Sequence, residues 1–210
     1  MQQVNAILGK TLGVQLRRSR PGTNRQTPIP LVVQTLDRVA HFQDLLGQIE
    51  HVDGDIVECG VGWGRSLFIL AGLSRQLPFD RKFYGFDSFQ GFPEPTAEDA
   101  PESNSKIAAG HYATKKQSVL NYLLNSGIEK SLLDTRVDLV SGWFEDSLPG
   151  YDGQIALLHL DCDLYQSYLT SLELLYPKMV PGGIIAFDEY GKATWTGATK
   201  AIDEFFSGKP

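Results

Sequence analysis

The chain has 210 residues, of which 19 are basic and 25 acidic, and its formal net charge is −6. This length and a hydrophobic fraction of 42% indicate one folded domain rather than a disordered chain. The acidic balance argues against a nucleic-acid partner, and no apolar run reaches the roughly 20 residues of a membrane span.

Cysteine usage bears on the cell compartment. The two cysteines, Cys59 and Cys162, are too few for a disulfide framework. No signal-peptide pattern opens the chain. Both observations favour a cytoplasmic protein, and composition gives no further information on chemistry.

The first 28 residues differ from the rest and are predicted to form an N-terminal arm. Val4, Ile7, Leu8 and Leu12 recur at helical spacing, and several arginines follow them. We expect this arm to pack on the domain formed by residues 29–210 or on a second subunit, which would make the protein a homo-oligomer. A basic amphipathic helix on a membrane surface is the weaker alternative, because the apolar stripe is short.

After this arm, segments with helical periodicity alternate with short apolar segments typical of buried strands. The predicted helices cover residues 30–49, 65–77, 115–126, 166–178 and 196–206. The predicted strands cover residues 55–59, 82–86, 137–140, 155–160 and 183–187. Such alternation gives right-handed crossovers, and continuously apolar strands are buried on both faces. The predicted fold class is therefore α/β, with a doubly wound, Rossmann-like parallel sheet.

A glycine-rich loop joins the first predicted strand to the next helix. Glycines let a ligand approach the backbone, and the helix N-terminus offers free N–H groups. Arg65 stands where a dinucleotide fingerprint needs its third glycine, and Glu58 would repel a pyrophosphate but suits an ammonium group. The loop therefore predicts S-adenosylmethionine as the cofactor. The predicted cofactor-binding residues of this loop are Glu58, Gly60, Gly62, Arg65 and Ser66.

A second part of the cofactor site follows the second predicted strand. Asp87 lies 25 positions beyond Gly62, and a carboxylate at this point can accept hydrogen bonds from both ribose hydroxyls. We expect Asp87 and the adjacent Ser88 to bind the adenosine part of the cofactor. The alternative is a structural glycine turn with an unrelated surface acid. This alternative is less favoured because the glycine loop and Asp87 occur together, the loop after the first predicted strand and the acid after the second.

Residues 88–114 break the alternation of strands and helices. This segment has little hydrophobic periodicity and contains prolines with acidic and small residues. Long loops inside a compact domain are uncommon and are usually functional lids or disordered segments. Because the segment follows the second strand, it starts at the carboxyl edge of the sheet, where ligands bind in open α/β folds. We interpret residues 88–114 as a lid, with a passive loop as the alternative.

Four carboxylates follow the last two predicted strands. Asp161 and Asp163 follow the fourth strand, and Asp188 and Glu189 follow the fifth. Neighbouring strands would gather them in one small volume, where carboxylates repel one another and raise one another's pKa. A divalent cation removes this conflict, and all-oxygen ligands favour Mg²⁺ or Ca²⁺ over zinc. The alternative is that Asp163 or Asp188 caps the following helix.

Methyl transfer to a hydroxyl would use this acid cluster. A neutral alcohol is a poor nucleophile, and a bound cation lowers the pKa of the hydroxyl and fixes its orientation. Asp163 is the predicted base that takes the proton, and His111 in the lid is the second candidate. Asp161 is also predicted to be a catalytic residue and a cofactor-binding residue. His159 lies within a buried strand and is expected to be structural.

The order of these motifs resembles that of the macrocin O-methyltransferase (TylF-like) family. The resemblance implies a class I methyltransferase fold, Mg²⁺ dependence and methylation of a sugar hydroxyl, typically on a glycosylated natural product. It adds Gly142 and Trp143 to the cofactor site and assigns Asp161, Asp188 and Glu189 as metal ligands. The matching stretches are residues 54–61, 86–93, 142–149, 160–165, 175–178, 181–183 and 188–190.

The chain also departs from the family pattern. Glu189 stands where the family usually has Asp, and Cys162 replaces the Gly of the usual Asp-Gly-Asp motif. The family sheet normally ends in an antiparallel hairpin that nothing after Phe206 could form, so we expect five strands in the order 3-2-1-4-5 or a shortened form. Two alternatives stay open: a catalytically silent binding or scaffold protein, and a methyltransferase whose acceptor is a phenol or an amine.

Overall fold

The computed structural model describes residues 32–75, 81–99 and 107–209. The strands are β1 (Asp55–Cys59), β2 (Phe83–Asp87), β3 (Val137–Ser141), β4 (Ile155–Leu160) and β5 (Met179–Phe187). The α-helices are α1 (Val33–Gln48), α2 (Arg65–Ser74), α3 (Lys116–Asn125), α4 (Lys130–Arg136), α5 (Phe144–Ser147), α6 (Tyr165–Leu175) and α7 (Thr196–Phe206). Short 3₁₀ helices lie at Ala97–Asp99, Leu148–Gly150 and Tyr176–Lys178.

The five strands form one parallel sheet. Their order is β3-β2-β1-β4-β5, and every neighbouring pair is parallel. The predicted doubly wound α/β sheet and its order 3-2-1-4-5 are thus confirmed. The chain direction across the sheet reverses between β1 and β4, and open sheets of this kind bind ligands outside the carboxyl ends of the strands at such a switch point.

Helices cover both faces of the sheet, and the side chains of each strand alternate between the two layers. Ile56 and Leu157 belong to the core that includes residues of α1, α2 and α3. Val57 and Leu158 belong to the core that includes residues of α6 and α7. β4 is buried along its whole length, as its apolar sequence predicts. Each large apolar side chain buried in these layers contributes about 1.5–3 kcal/mol, which holds the strand ends in a fixed arrangement.

β5 begins at Met179, earlier than the predicted start at residue 183. The sequence obscures this start because Pro181 lacks an N–H group and argues against a strand. The pairing of β4 with β5 shifts its register between Ile155 and Leu157. Pro181 therefore lies in an irregular part of an edge strand of the described sheet, where proline is tolerated. The sequence prediction also misses α4, whose seven residues are too few to show a helical period.

The segment interpreted as a lid, residues 88–114, is described except for residues 100–106. Two parts of it pair through their backbones, with the N–H of Phe92 donating to the carbonyl oxygen of His111 at 2.9 Å. Asp99 connects the lid to the body of the domain, because its Oδ1 accepts a hydrogen bond of 2.7 Å from the N–H of Tyr165 in α6. The described part of the lid therefore has a defined path.

Three further predictions concern the N-terminal arm, the C-terminal hairpin and membrane spans. The predicted N-terminal arm of residues 1–28 lies outside the described residues. Within the described ranges, no antiparallel hairpin follows β5. Among the helices of these ranges, none has the length and apolar character needed to cross a membrane.

Candidate active site

A cavity of about 450 Å³ opens at the carboxyl edge of the sheet. Loops that follow all five strands line it, together with parts of the lid and Arg38 of α1. This volume suits a small-molecule site. Glu58 and His111 are not among the described residues that line it. The predicted site residues that do line it are Gly60, Gly62, Arg65, Ser66, Asp87, Ser88, Gly142, Trp143, Asp161, Asp163, Asp188 and Glu189.

The glycine loop after β1 needs its glycines. Gly60, Gly62 and Gly64 have φ angles of 87°, 51° and 78°, a region that glycine adopts at little steric cost. A Cβ atom at Gly60 would overlap the carbonyl oxygen of Asp161. The cofactor loop therefore lies directly against the turn that carries the first acid of the cluster.

Asp87 is hydrogen-bonded to this loop through its carboxylate. Oδ2 accepts a bond of 2.8 Å from the N–H of Gly62, and Oδ1 accepts one of 2.6 Å from the N–H of Phe89. Burial raises the pKa of Asp87, although the backbone donors oppose this shift. Each carboxylate oxygen keeps a further lone pair, so Asp87 can hold the loop and also accept ribose hydroxyls.

The other predicted cofactor residues lie at helix starts beside the cavity. Arg65 and Ser66 are the first two residues of α2. Trp143 precedes α5, and the N–H of Gly142 donates to the carbonyl oxygen of Asp87 at 3.0 Å. The loops after β2 and β3 are thereby joined around Asp87.

Glu58 is buried beside the cavity instead of lining it. Its Oε1 lies 3.0 Å from Nδ1 of His159 on the neighbouring strand β4, and its Oε2 has no hydrogen-bond partner among the described residues. Burial raises the pKa of Glu58. Burial alone would lower the pKa of His159, but the hydrogen bond and charge of Glu58 raise it. His159 is buried as expected, and the contact of Glu58 with a cofactor ammonium stays a prediction.

The four carboxylates at the ends of β4 and β5 converge in the cavity wall. Burial raises the pKa of Asp161, Asp163 and Glu189, and neighbouring negative charges add to the effect. The pKa reaches about 7 for Asp163 and about 9 for Glu189. Shifts in this direction arise where acids gather in a partly buried place, as the sequence predicts.

Asp163 has an uncommon backbone conformation. Its φ angle is 61°, and the N–H of Leu164 donates to the carbonyl oxygen of Cys162 at 2.6 Å. This hydrogen bond closes a three-residue γ-turn centred on Asp163. A left-handed residue of this kind costs about 1–3 kcal/mol, and Asp tolerates it better than most residues. The turn keeps Asp163 in the cavity wall, just before α6 begins.

The alternative role of Asp163 and Asp188 as helix caps finds no support. The N-cap residues of α6 and α7 are Leu164 and Trp195, and neither makes a side-chain cap hydrogen bond. The backbone N–H of the first residue of α6 is instead bound by Asp99 of the lid.

Two basic side chains contact the acid cluster, and the sequence prediction missed both. Arg38 donates through Nη2 to Oδ1 of Asp188 at 2.8 Å, and its Nη1 lies 3.8 Å from Oδ2 of Asp161. Lys192 donates to Oδ2 of Asp188 at 2.6 Å and lies 3.9 Å from Oε1 of Glu189. Burial alone would raise the pKa of Asp188, but the hydrogen bonds with Lys192 and Glu189 and the charge of Arg38 lower it.

These omissions have different causes. Arg38 is 150 positions from Asp188 in the sequence, so no local pattern could link them. Lys192 follows Asp188 by four residues, a spacing that gives a weak signal outside a helix. Phe92 and Trp195 also line the cavity, with ring centroids 5.9 Å apart, and their contact depends on how the lid folds back.

The acid cluster fits a divalent cation in part. One oxygen each of Asp161 and Asp188 and a ring nitrogen of His159 lie within 4.8 Å of one another. Carboxylate oxygens are ligands that Mg²⁺ favours. Glu189, the third predicted ligand, instead accepts a hydrogen bond of 2.5 Å from the Tyr168 hydroxyl through Oε2. Asp161 and Asp188 fit the predicted role, whereas Glu189 is not in this group and has only Oε1 left for a cation while Tyr168 holds Oε2.

His111 lies in the lid, outside the cavity wall. Its ring centroid is 6.4 Å from that of Tyr112, which does line the cavity. The role of His111 as a second candidate base stays a prediction. Cys59 and Cys162 are buried free thiols.

The family model of the macrocin-O-methyltransferase (TylF) group matches residues 16–209. The chain belongs to this family. The matched range includes the glycine loop, Asp87, the lid and both acid pairs. The resemblance that these motifs indicate is thereby confirmed.

Curated relatives of this TylF-family chain carry the names of natural-product O-methyltransferases. The 8-demethyl-8-(2,3-dimethoxy-alpha-L-rhamnosyl)-tetracenomycin-C 4'-O-methyltransferase of Streptomyces olivaceus is 37% identical over 144 residues, which cover 66% of this chain and 54% of the relative. The demethyldecarbamoylnovobiocin O-methyltransferase of Streptomyces niveus is 34% identical over 154 residues, 70% of this chain and 56% of the relative. The chain thus spans about half the length of these curated relatives.

Solved structures show the same fold. The O-methyltransferase NovP is 29% identical with a TM-score of 0.72, over 82% of this chain and 72% of that chain. The calicheamicin methyltransferase CalS11 is 25% identical with a TM-score of 0.76, over 100% of this chain and 86% of that chain. Both are named as methyltransferases, and the shared fold agrees with the predicted fold class.

Proposed function

We propose that this chain is an O-methyltransferase that transfers the methyl group of S-adenosylmethionine to a hydroxyl of a sugar or glycosylated natural product, with the help of Mg²⁺. The observation that carries the proposal is a single cavity that joins two groups of residues. One group is the glycine loop with Asp87, and the other is the cluster of Asp161, Asp163, Asp188 and Glu189. Membership in the TylF family supports the same chemistry.

The cofactor is proposed to bind along the loops that follow β1, β2 and β3. Gly60 and Gly62 bring the backbone close to the cavity, and the first turn of α2 offers N–H groups. Asp87 would accept the ribose hydroxyls, for which its carboxylate has free lone pairs. Gly142 and Trp143 complete the opposite wall.

The acid cluster is proposed to activate the acceptor. S-adenosylmethionine supplies the methyl group, and Mg²⁺ lowers the pKa of a hydroxyl that it binds. Asp161 and Asp188 would hold the cation, with Glu189 preferred over His159 as the third ligand because Mg²⁺ favours oxygen. Asp163 lines the same wall and would accept the hydroxyl proton.

The acceptor class is proposed from the relatives and from the cavity wall. One relative is named for a rhamnosyl-tetracenomycin 4'-O-methyltransferase, and another for a mycinamicin III 3''-O-methyltransferase from Micromonospora griseorubida. In this chain, Phe92, Tyr112 and Trp195 present aromatic rings to the cavity, which offer apolar surface to one face of a sugar ring or to an aglycone.

The test is methyl transfer to a set of sugar-containing acceptors with and without EDTA. We expect turnover that EDTA abolishes and Mg²⁺ restores. We also expect Asp161→Asn to lose turnover while it still binds S-adenosylhomocysteine in calorimetry. The matched control is Asp138→Asn, which changes an exposed acid of β3 and should retain both. Full turnover in EDTA would contradict the role of Mg²⁺, and failure to bind S-adenosylhomocysteine at millimolar concentration would favour a binding or scaffold protein.

A further inference from the structure

Arg38 reaches the acid cluster from an element outside the strand-end loops. It lies on α1, whose residues Phe42 and Leu46 are buried in the core against the sheet. Its guanidinium donates from Nη2 to Oδ1 of Asp188 at 2.8 Å and from Nη1 to the Ser66 hydroxyl at 3.0 Å. Because α1 is packed in the core, the base of this side chain is held in place.

The second oxygen of Asp188 has a cationic partner as well. Nζ of Lys192 lies 2.6 Å from Oδ2 of Asp188. Each oxygen of this carboxylate therefore accepts a short, charge-assisted hydrogen bond, a kind of bond that is about twice as strong as one between neutral groups. Asp188 is held by two basic residues at the position where the proposed function requires a metal ligand.

We propose that Arg38 competes with the divalent cation for Asp188, so that metal binding requires the guanidinium to release this carboxylate. The inference rests on the proposed metal site. A cation that coordinates Oδ1 of Asp188 has to use the lone pair that the guanidinium leaves free, on a carboxylate whose charge Arg38 already balances in part. It would also stand close to a like charge, and such pairs repel strongly where solvent screening is incomplete. The side chains of Arg38 and Asp188 are 35% and 20% exposed, so screening at this site is only partial.

Ser66 gives Arg38 a hydrogen-bond partner that it can keep after it releases Asp188. The Arg38 guanidinium already shares its donors between Asp188 and the Ser66 hydroxyl at the start of α2. When the cation takes Asp188, the bond to Ser66 can persist because Nη1 makes it and Nη2 makes the bond that is lost. Nη1 also lies 3.8 Å from Oδ2 of Asp161, the other proposed ligand, so the guanidinium has to turn away from Asp161 as well. Arg38 is thus a positioning residue that holds Asp188 in the absence of metal and gives it up on metal binding.

The test is calorimetric titration of Mg²⁺ into the whole chain and its variants. We expect Arg38→Gln to bind Mg²⁺ roughly three- to tenfold more tightly than wild type, because one competing charge pair is removed. Arg38→Lys, which keeps the positive charge, should stay close to wild type. The matched control is Arg75→Gln, because Arg75 forms a comparable ion pair of 2.6 Å with Glu129 on the surface, away from the cavity lining.

Thermal unfolding supplies a second readout that does not depend on activity. Without metal, Arg38→Gln should unfold at a lower temperature than wild type, since Asp188 loses a partner. Added Mg²⁺ should raise its Tm by more than it raises that of wild type.

The outcomes separate the two proposals. Equal Mg²⁺ affinity in wild type and Arg38→Gln, or weaker binding in Arg38→Gln, would overturn the competition and leave the metal site intact. No Mg²⁺ binding to either protein would overturn the metal site itself, and the competition with it. Binding of Mg²⁺ by Arg38→Gln but not by wild type would support the competition in its strongest form.

Discussion

Among single residues, Asp163 combines an uncommon backbone with a carboxyl group that burial makes hard to ionise. The γ-turn around it is closed by the N–H of Leu164, and the pKa of the carboxyl is raised to about 7. A residue kept in a left-handed conformation at the wall of a cavity is a frequent property of functional sites. The turn thus separates Asp163 from the helix that follows and leaves its carboxylate in the cavity wall.

The proposed base can be tested by Asp163→Asn. Asn is similar in size and tolerates the left-handed region, but it cannot take the proton from the hydroxyl of the methyl acceptor. We expect kcat to fall by about 10²–10⁴-fold, with unchanged affinity for S-adenosylhomocysteine in calorimetry. The control is Asp134→Asn, which removes an exposed partner of Lys130 on α4 and should leave kcat unchanged. If Asp163→Asn kept the wild-type kcat, another group would have to be the base, and His111 would be the next residue to substitute.

Glu58 and His159 form the other residue-scale unit, and its removal should affect stability. Glu58→Ala leaves the buried His159 ring without its hydrogen-bond partner at 3.0 Å. We expect the free energy of unfolding to fall by about 3 kcal/mol in urea denaturation. Glu58→Gln can keep the hydrogen bond and should lose about 1 kcal/mol or less. Normal stability of Glu58→Gln together with much weaker binding of S-adenosylhomocysteine would instead support direct contact of Glu58 with the cofactor.

At the scale of elements, the site depends on how closely the ends of β1 and β4 approach. The two strands are paired up to Cys59 and Leu160, and the N–H of Asp161 donates to the carbonyl oxygen of Cys59 at 3.0 Å. Gly60 follows at once, with no space for a side chain against Asp161. The cofactor loop and the acid-bearing turn are thus held together by backbone contacts, with little freedom to separate.

A pair of glycine substitutions tests this close approach. Gly60→Ala places a methyl group on the carbonyl of Asp161, in addition to the strain of a φ angle of 87°. We expect it to lower the free energy of unfolding by about 3 kcal/mol or more. Gly62→Ala has a φ angle of 51° and no heavy atom within 4 Å of the added Cβ, so it should cost about 1 kcal/mol. Urea denaturation of both variants measures the difference, and equal losses would contradict the role of contact at Gly60.

Over the whole molecule, the features that could be predicted from sequence are those whose cause is local. β1, β4 and α7 begin and end where their patterns predict, because buried strands and amphipathic helices leave clear periodic signals. The glycine loop and the two acid pairs directly follow strands. A parallel sheet brings strand ends to one edge, so their convergence in a cavity follows from topology.

The features that escaped prediction depend on tertiary packing. Arg38 looks like an ordinary polar residue of an amphipathic helix, and only the docking of α1 on the sheet brings it to Asp188. The hydroxyl of Tyr168 in α6 donates a hydrogen bond to Oε2 of Glu189, a contact that no sequence spacing predicts. The start of β5 was obscured because a proline rule that holds inside a sheet does not apply to its outermost strand.

The irregular start of β5 has a consequence for the behaviour of the protein at high concentration. Within the part of the chain that is described, β5 is one of the two edge strands of the sheet and pairs only with β4. A long, regular outer strand is a template on which strands of other chains can add and form aggregates. Pro181 removes one N–H group, and the register shift beside it interrupts the regular ladder. The start of β5 therefore offers an irregular edge to the strand of another chain, while the carboxyl end of β5 leads into the acids Asp188 and Glu189.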